Sequence, residues 1–372
     1  MPQQEKVKTL LGSYSSDDVI FLLKDLSEID LEKGLDEREK AIQSGIHYSE
    51  MLPVEYEPTE DYLKLFYESL TMYKQKVAVA VGTVTELLVE KKGRNIVLVS
   101  LARAGTPIGI LMKRYADKKY DINVPHYSIS IIRGRGIDEN AMLHIIHTHP
   151  HQQIVFVDGW TGKGAIAIEL TRSVESFKEK YGITLDDELV VLADPGYCSS
   201  LYGTREDFLI PSACLNSTVS GLVSRTVLNS NWISGTDFHG AKVYWDLIEK
   251  DVSNHHIDVI TEEFATAGSL IRKAKEELLK TDMTPTWNGL QTIASIQELY
   301  GIDDVNLIKP GVGETTRVLL RRVPWKILVQ DENDPRLKHI FQLAKERSVP
   351  IEVYKDMVYT CCGLIRPLDM DL

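Results

Sequence analysis

The segment Ile154–Ala165, IVFVDGWTGKGA, carries the most chemistry in the chain. Four apolar residues read as a buried strand ending at Asp158, after which Thr161, Gly162, Lys163, Gly164 and Ala165 open a helix. A glycine turn at a helix start offers free N–H groups and the positive end of the helix dipole to a phosphate. A carboxylate just before such a turn can accept hydrogen bonds from ribose hydroxyls. Two further loops follow predicted strands. In SLARAGTPIG, Arg103, Ala104 and Gly105 precede a helix opened by Thr106 and Pro107. IIRGRGID sets Arg133 and Arg135 in the loop after the second predicted strand. Asp194 and Tyr197, just past LVVLA, would face an acceptor molecule.

A second chemistry stays open at this point. Cys198 or Cys214 could act as a nucleophile with His239 as its base, although spacing alone shows no geometry joining a cysteine to a histidine. Adjacent Cys361 and Cys362 suit neither a structural disulfide nor a zinc site. His144, His147, His149 and His151 crowd one segment, but Pro150 interrupts it and no cysteine or carboxylate completes a known metal spacing. The stretch 194–229 is rich in small polar residues; Asn216, Ser217, Thr218, Ser220, Ser224 and Arg225 read either as substrate contacts or as turn and cap residues.

Four hydrophobic residues, an acidic position and a Thr/Gly turn resemble the phosphoribosyl-pyrophosphate loop of type I phosphoribosyltransferases. Gly159 stands where that family has a second acid. The resemblance implies a Mg²⁺-dependent transferase, with phosphoribosyl pyrophosphate as donor and a base-like metabolite or RNA-linked group as acceptor. It would use Asp158, Arg103, Arg133 and Arg135 as catalytic residues, the 161–165 turn with Ala104 and Gly105 as the phosphate cradle, and Asp158 toward the metal. Nearly the whole chain, including IHYSEMLP, FVDGWTGKGA and the serine-rich stretch, also resembles bacterial stress-linked proteins of tellurite-resistance gene neighbourhoods. Those proteins are labelled both phosphoribosyltransferase-like and StiP-type cysteine proteases. The alternatives are therefore a thiol hydrolase and a non-catalytic sensor of phosphoribosyl pyrophosphate or RNA.

Near the C-terminus, GVGETTR could pass for a nucleotide loop, but Glu314 occupies the place of the phosphate-binding lysine. The segment is more similar to the Pelota-type RNA-binding domain. Gly311, Glu314, Thr315, Thr316 and Arg317 match its motif, Gly313 replaces an Asn, and Arg321 follows one turn later. That resemblance implies RNA binding, with Glu314 toward an exposed guanine edge and the arginines toward phosphates.

These loops need elements to hold them. The β-branched runs NIVLVSLA, HYSISIIR, IVFVDG and LVVLADPG alternate with helical stretches, the pattern of a parallel sheet covered on both faces. The expected fold is α/β, with a Rossmann-like phosphoribosyltransferase domain, an N-terminal helical cap and a small C-terminal Pelota-like α/β domain. The expected boundaries are a cap over 1–90, the central domain over 91–255, a helical linker over 256–284 and the RNA-binding domain over 285–372. DDVIFLLKDL reads as an N-capped amphipathic helix, and Thr59–Glu90 as a long one. With 372 residues, 43% of them hydrophobic and 26% charged, the composition is that of a globular protein. The net charge of −12 argues against nucleic-acid binding over the whole surface. No apolar run reaches the roughly 20 residues of a membrane span, and the start, MPQQEKVKTL, lacks an apolar signal core. A cytoplasmic protein with no membrane partner is the expectation.

Overall fold

The computed structural model describes residues 10–366. Its centre is a six-stranded sheet with every neighbouring pair parallel. The strands are β1 (Ile20–Phe21), β2 (Ile96–Leu101), β3 (His126–Ile129), β4 (Gln153–Trp160), β5 (Leu189–Ala193) and β6 (Leu201–Thr204). They lie side by side in the order β1-β3-β2-β4-β5-β6. Every residue of β2, β3 and β5 is buried, as strands sandwiched between two helical layers must be.

The chain runs outward from β2 to β3 and then returns to place β4 on the other side of β2. The loops after β2 and β4 therefore part at a topological switch point, where open parallel sheets leave a crevice. Glycines let these two loops touch. A side chain on Gly105 would collide with the Val157 carbonyl, and one on Gly159 would lie 3.0 Å from Ala104 O. Gly159 thus sits in close packing, where a Cβ would press on the Ala104 carbonyl.

One face of the sheet is covered by α1 (Glu60–Lys92) and α2 (Gly105–Tyr120); α3 (Glu139–Thr148) and α4 (Ala165–Tyr181) pack with the other core cluster. In α1, Phe66, Leu70, Val77, Val81, Val84 and Leu88 recur at helical spacing and are all buried. Helices α5 (Ser253–Glu263) and α6 (Gly268–Leu278) pack against α1, with Ile257, Ile260 and Ile271 fully buried. The stretch expected as a linker is therefore core material.

The N-terminal helix expected over DDVIFLLKDL is instead extended, and Ile20–Phe21 forms the edge strand β1 beside β3. Phe21, Leu22 and Leu23 are consecutive and all buried, so the run has no polar face for a surface helix to show. The expected helical cap thus donates a strand and a covering helix to the central sheet.

The C-terminal domain has its own four-stranded sheet, β7 (Ile308–Pro310), β8 (Pro324–Val329), β9 (Ile351–Val353) and β10 (Cys361–Ile365), in the order β7-β10-β8-β9. Helices α7 (Asn288–Tyr300), α8 (Val312–Arg321) and α9 (Lys338–Glu346) complete it. No described helix is long and apolar enough to cross a membrane.

Candidate functional site at the carboxyl edge of the sheet

Parallel strands aim their carboxyl ends at one rim, so the loops after β2, β4 and β5 meet there. Asp158 is the buried acid of β4. Its one hydrogen bond is Gly159 N–H donating to Oδ1 at 2.7 Å, and burial raises its pKa to about 7. With no second carboxylate beside it, the donor set does not fit the several oxygen ligands of Mg²⁺. Among the described residues, no group of three or more His, Cys, Asp or Glu side chains is placed to hold a metal ion. His149 of the histidine-rich segment is engaged with Tyr127 Oη at 2.9 Å.

The glycine turn before α4 is filled by the protein itself. Thr161 Oγ1 donates to Asp194 Oδ1 at 2.6 Å and accepts from Gly196 N at 3.2 Å. Lys163 Nζ reaches the carbonyls of Val305 and Ile308 in the C-terminal domain. Burial, with Lys309 and Arg133 nearby, lowers its pKa to about 8. The Gly162 carbonyl accepts from Tyr359 Oη at 3.1 Å. Gly164, the residue before Ala165, takes φ +76°; a side chain there would meet Trp287 at 2.5 Å and Cys198 Sγ at 2.9 Å.

Asp194 organises the loop after β5. Its Oδ1 also accepts the Cys198 amide at 2.8 Å, and its Oδ2 lies 3.5 Å from Arg205 Nε. Arg205 in turn stacks over Tyr197 and Tyr202. Tyr197 adopts φ +57° and turns its carbonyl to Trp287 N at 2.9 Å. Cys198 is held in this frame, its thiol donating to Gly196 O at 3.2 Å. Burial and then Asp194 push the thiol up to about 12, while the Thr161 hydroxyl opposes that shift.

The other three cysteines sit in packed core. Cys214 is fully buried, lies 3.7 Å from Ser69 Oγ and is raised to about 12 by burial. Cys361 and Cys362 are core residues of β10. His239 does not approach Cys198. Its Nδ1 pairs with Ser130 Oγ at 2.9 Å just past β3, three strand positions from β5, or about 14 Å at the usual strand spacing. No cysteine–histidine hydrogen bond occurs among the described residues, so the expected pairing with His239 is not assembled.

Arg103, Arg133 and Arg135 are spread along the rim. Arg103 Nη1 donates to Val223 O at 3.1 Å, and Arg133 Nη1 to Asn306 Oδ1 at 3.1 Å. Arg135 is paired with Glu50.

The C-terminal motif faces this rim. Gly311 takes φ +88° and lies against Asp207, whose Oδ1 accepts Val312 N at 2.9 Å and whose Oδ2 accepts Thr360 N at 2.8 Å. Glu314 pairs with Arg317 Nη1 at 3.1 Å. Thr315 and Thr316 are turned inward, toward Lys309 O at 3.3 Å and Val312 O at 2.7 Å. Arg317 and Arg321 both reach Asn216, and Arg321 Nη2 also donates to Cys214 O at 2.7 Å. A narrow crevice between the domains is lined by Trp160, Thr161, Ala193, Asp207, Pro310 and Glu314.

Asp207, Arg205 and Trp287 were not visible as site residues in the sequence. An isolated acid before an apolar run, REDFLIP, was the available signal for Asp207.

Together these features define an α/β protein with a buried thiol in the loop after β5 and a small α/β domain folded over it. The family model described as tellurite-like stress resistance cysteine protease StiP matches residues 12–261, and the PELOTA RNA binding domain matches residues 287–367. A relative from Acinetobacter baylyi, named cysteine protease StiP, is 36% identical over 377 residues, covering 96% of this chain and 94% of its own. The chain belongs to the StiP family. This overturns the phosphoribosyltransferase expectation, because both the family model and the relative carry a cysteine protease name. At the turn itself, the Thr161 hydroxyl is engaged by Asp194 and the Gly162 carbonyl by Tyr359.

Proposed function

We propose that this chain is a cysteine-dependent hydrolase acting on amide bonds, with Cys198 as nucleophile, and that its C-terminal domain engages RNA. The observation that carries the reading is the position of Cys198. Of the four cysteines it alone lies at the carboxyl rim, against the glycine turn into α4 and beside Thr161 and Asp194.

The Cys198 proton passes to Asp194 through the Thr161 hydroxyl as sulfur attacks the substrate carbonyl carbon. Asp194 is suited to receive it, because burial raises its carboxyl above the ordinary range. The unpaired N–H groups in the first turn of α4 stabilise the oxyanion. The C–N bond then breaks, the amine leaves with the proton from Asp194, and water cleaves the thioester. As folded here the thiol is protonated and lies under Trp287 and Tyr359, a resting state. Turnover requires the C-terminal domain to shift, and RNA contacting Glu314, Arg317 and Arg321 would compete for the surface that now packs on residues 207–216.

The test is hydrolysis of a quenched fluorescent casein by the full chain. Cys198→Ala is expected to abolish thiol-dependent cleavage, while Cys214→Ala, a small change in packed core, leaves it largely intact in protein that stays folded. Full activity in folded Cys198→Ala removes Cys198 from the role.

A further inference from the structure

Asp194 carries its side-chain hydrogen bonds on one oxygen. Oδ1 accepts from the Thr161 hydroxyl and the Cys198 amide, whereas Oδ2 is buried and accepts from no group among the described residues. The guanidinium of Arg205, just past β6, faces that bare oxygen with Nε 3.5 Å away. Nε and Nη2 of Arg205 are likewise buried and find no hydrogen-bond acceptor among the described residues. Stacking fixes the group in place, with its centre 4.2 Å from the Tyr197 ring centroid and 4.5 Å from that of Tyr202. Tyr197 immediately precedes Cys198 and takes φ +57°, so Arg205 rests on the turn that leads into the thiol.

The titratable groups facing Asp194 are Cys198 in its own loop, Tyr202 in β6, Tyr359 in the C-terminal domain and Arg205. Arg205 alone of these is a cation, and it makes the one ion pair to Asp194 among the described residues. Asp158, the buried acid at the end of the adjacent strand, has no cation facing it.

This spacing suits a carboxyl that takes a proton and gives it back. A bidentate guanidinium fork fixes a carboxylate as the anion. A buried carboxyl with no cation near it keeps its proton instead. At 3.5 Å in a buried setting the attraction is substantial, yet the lone pairs of Oδ2 stay open. We infer that Arg205 is the positioning residue of this site: it stabilises Asp194 as the anion that receives the Cys198 proton, and through Tyr197 it sets the turn that presents the thiol. The inference rests on the reading of Cys198 as nucleophile with Asp194 as its proton acceptor.

The experiment has two arms. In the first, the full chain carrying ¹³C in its aspartate carboxyl groups is titrated by nuclear magnetic resonance, with the Asp194 signal identified by its loss in Asp194→Asn. Arg205→Gln is expected to move the Asp194 midpoint upward by about one pH unit or more, while the Asp158 signal is unmoved and Arg205→Lys stays close to wild type. In the second arm, casein hydrolysis is followed against pH. Arg205→Gln is expected to lower kcat about tenfold on the acid limb, which moves to higher pH, with KM little changed. Arg205→Lys recovers most of that loss. An Asp194 midpoint indifferent to Arg205→Gln in folded protein, or shifted equally by Arg205→Lys, overturns the inference. So does a shifted midpoint with an unmoved kcat profile. Absence of Cys198-dependent cleavage in wild type sinks the hydrolase reading instead, and the first arm still decides whether Arg205 governs Asp194.

Discussion

At the scale of single residues, the site is governed by buried acids whose neighbours are backbone amides and hydroxyls. Asp158 shows the consequence most simply. Its folded-state pKa of about 7 lies above the ordinary carboxyl value, so the folded protein holds a proton that the unfolded chain has released. The stability this proton provides is fully present below the unfolded value and is lost as pH rises toward 7. Thermal melts of wild type and Asp158→Asn should therefore diverge across that window. Wild type gains melting temperature on acidification from pH 7 to 5 relative to the variant, whose amide keeps the acceptor for Gly159 N. Parallel profiles would mean that Asp158 is already ionised in the folded state. Asp158 and Asp194 were both readable from the sequence, as acids ending apolar runs. Their partners were not, because Thr161–Asp194 and Cys198–Gly196 contacts depend on how the loops cross, and side-chain chemistry does not encode that.

At the scale of elements, β2 to β5 were legible because their β-branched runs have only one buried solution. The first strand was not: a short apolar run beside acids satisfies a helix start as well as an edge strand, and only the neighbouring β3 decides between them. Equally hidden was the tie between the sheet domain and α8. Asp207 receives two amides of the C-terminal domain, Val312 N and Thr360 N, from deep within the interface. An Asp207→Asn substitution leaves one of those amides facing an NH₂ group. It should destabilise the chain by about 1–3 kcal/mol, the usual cost of a buried unsatisfied polar group, measurable by urea denaturation. An unchanged unfolding midpoint would show that water replaces the lost acceptor and that Asp207 is not the tie described here.

At the scale of the whole molecule, the two domains cover each other's working surfaces. Tyr359 and Trp287 lie over the Cys198 loop, while residues 207–216 lie against the motif around Glu314 and Arg317. The sequence separated these regions into two modules and so gave no sign of their mutual burial. It also drew attention to phosphate chemistry at the 161–165 turn, where the structure places the Thr161–Asp194 and Tyr359–Gly162 contacts. The most direct test of the central claim is site mapping by mass spectrometry after the full chain is treated with a peptidyl epoxide, which alkylates a nucleophilic thiol irreversibly. An adduct on Cys198 is expected, slow in wild type and faster in Trp287→Ala, where the cover is reduced. Labelling confined to another cysteine, with Cys198 untouched in both proteins, would contradict it.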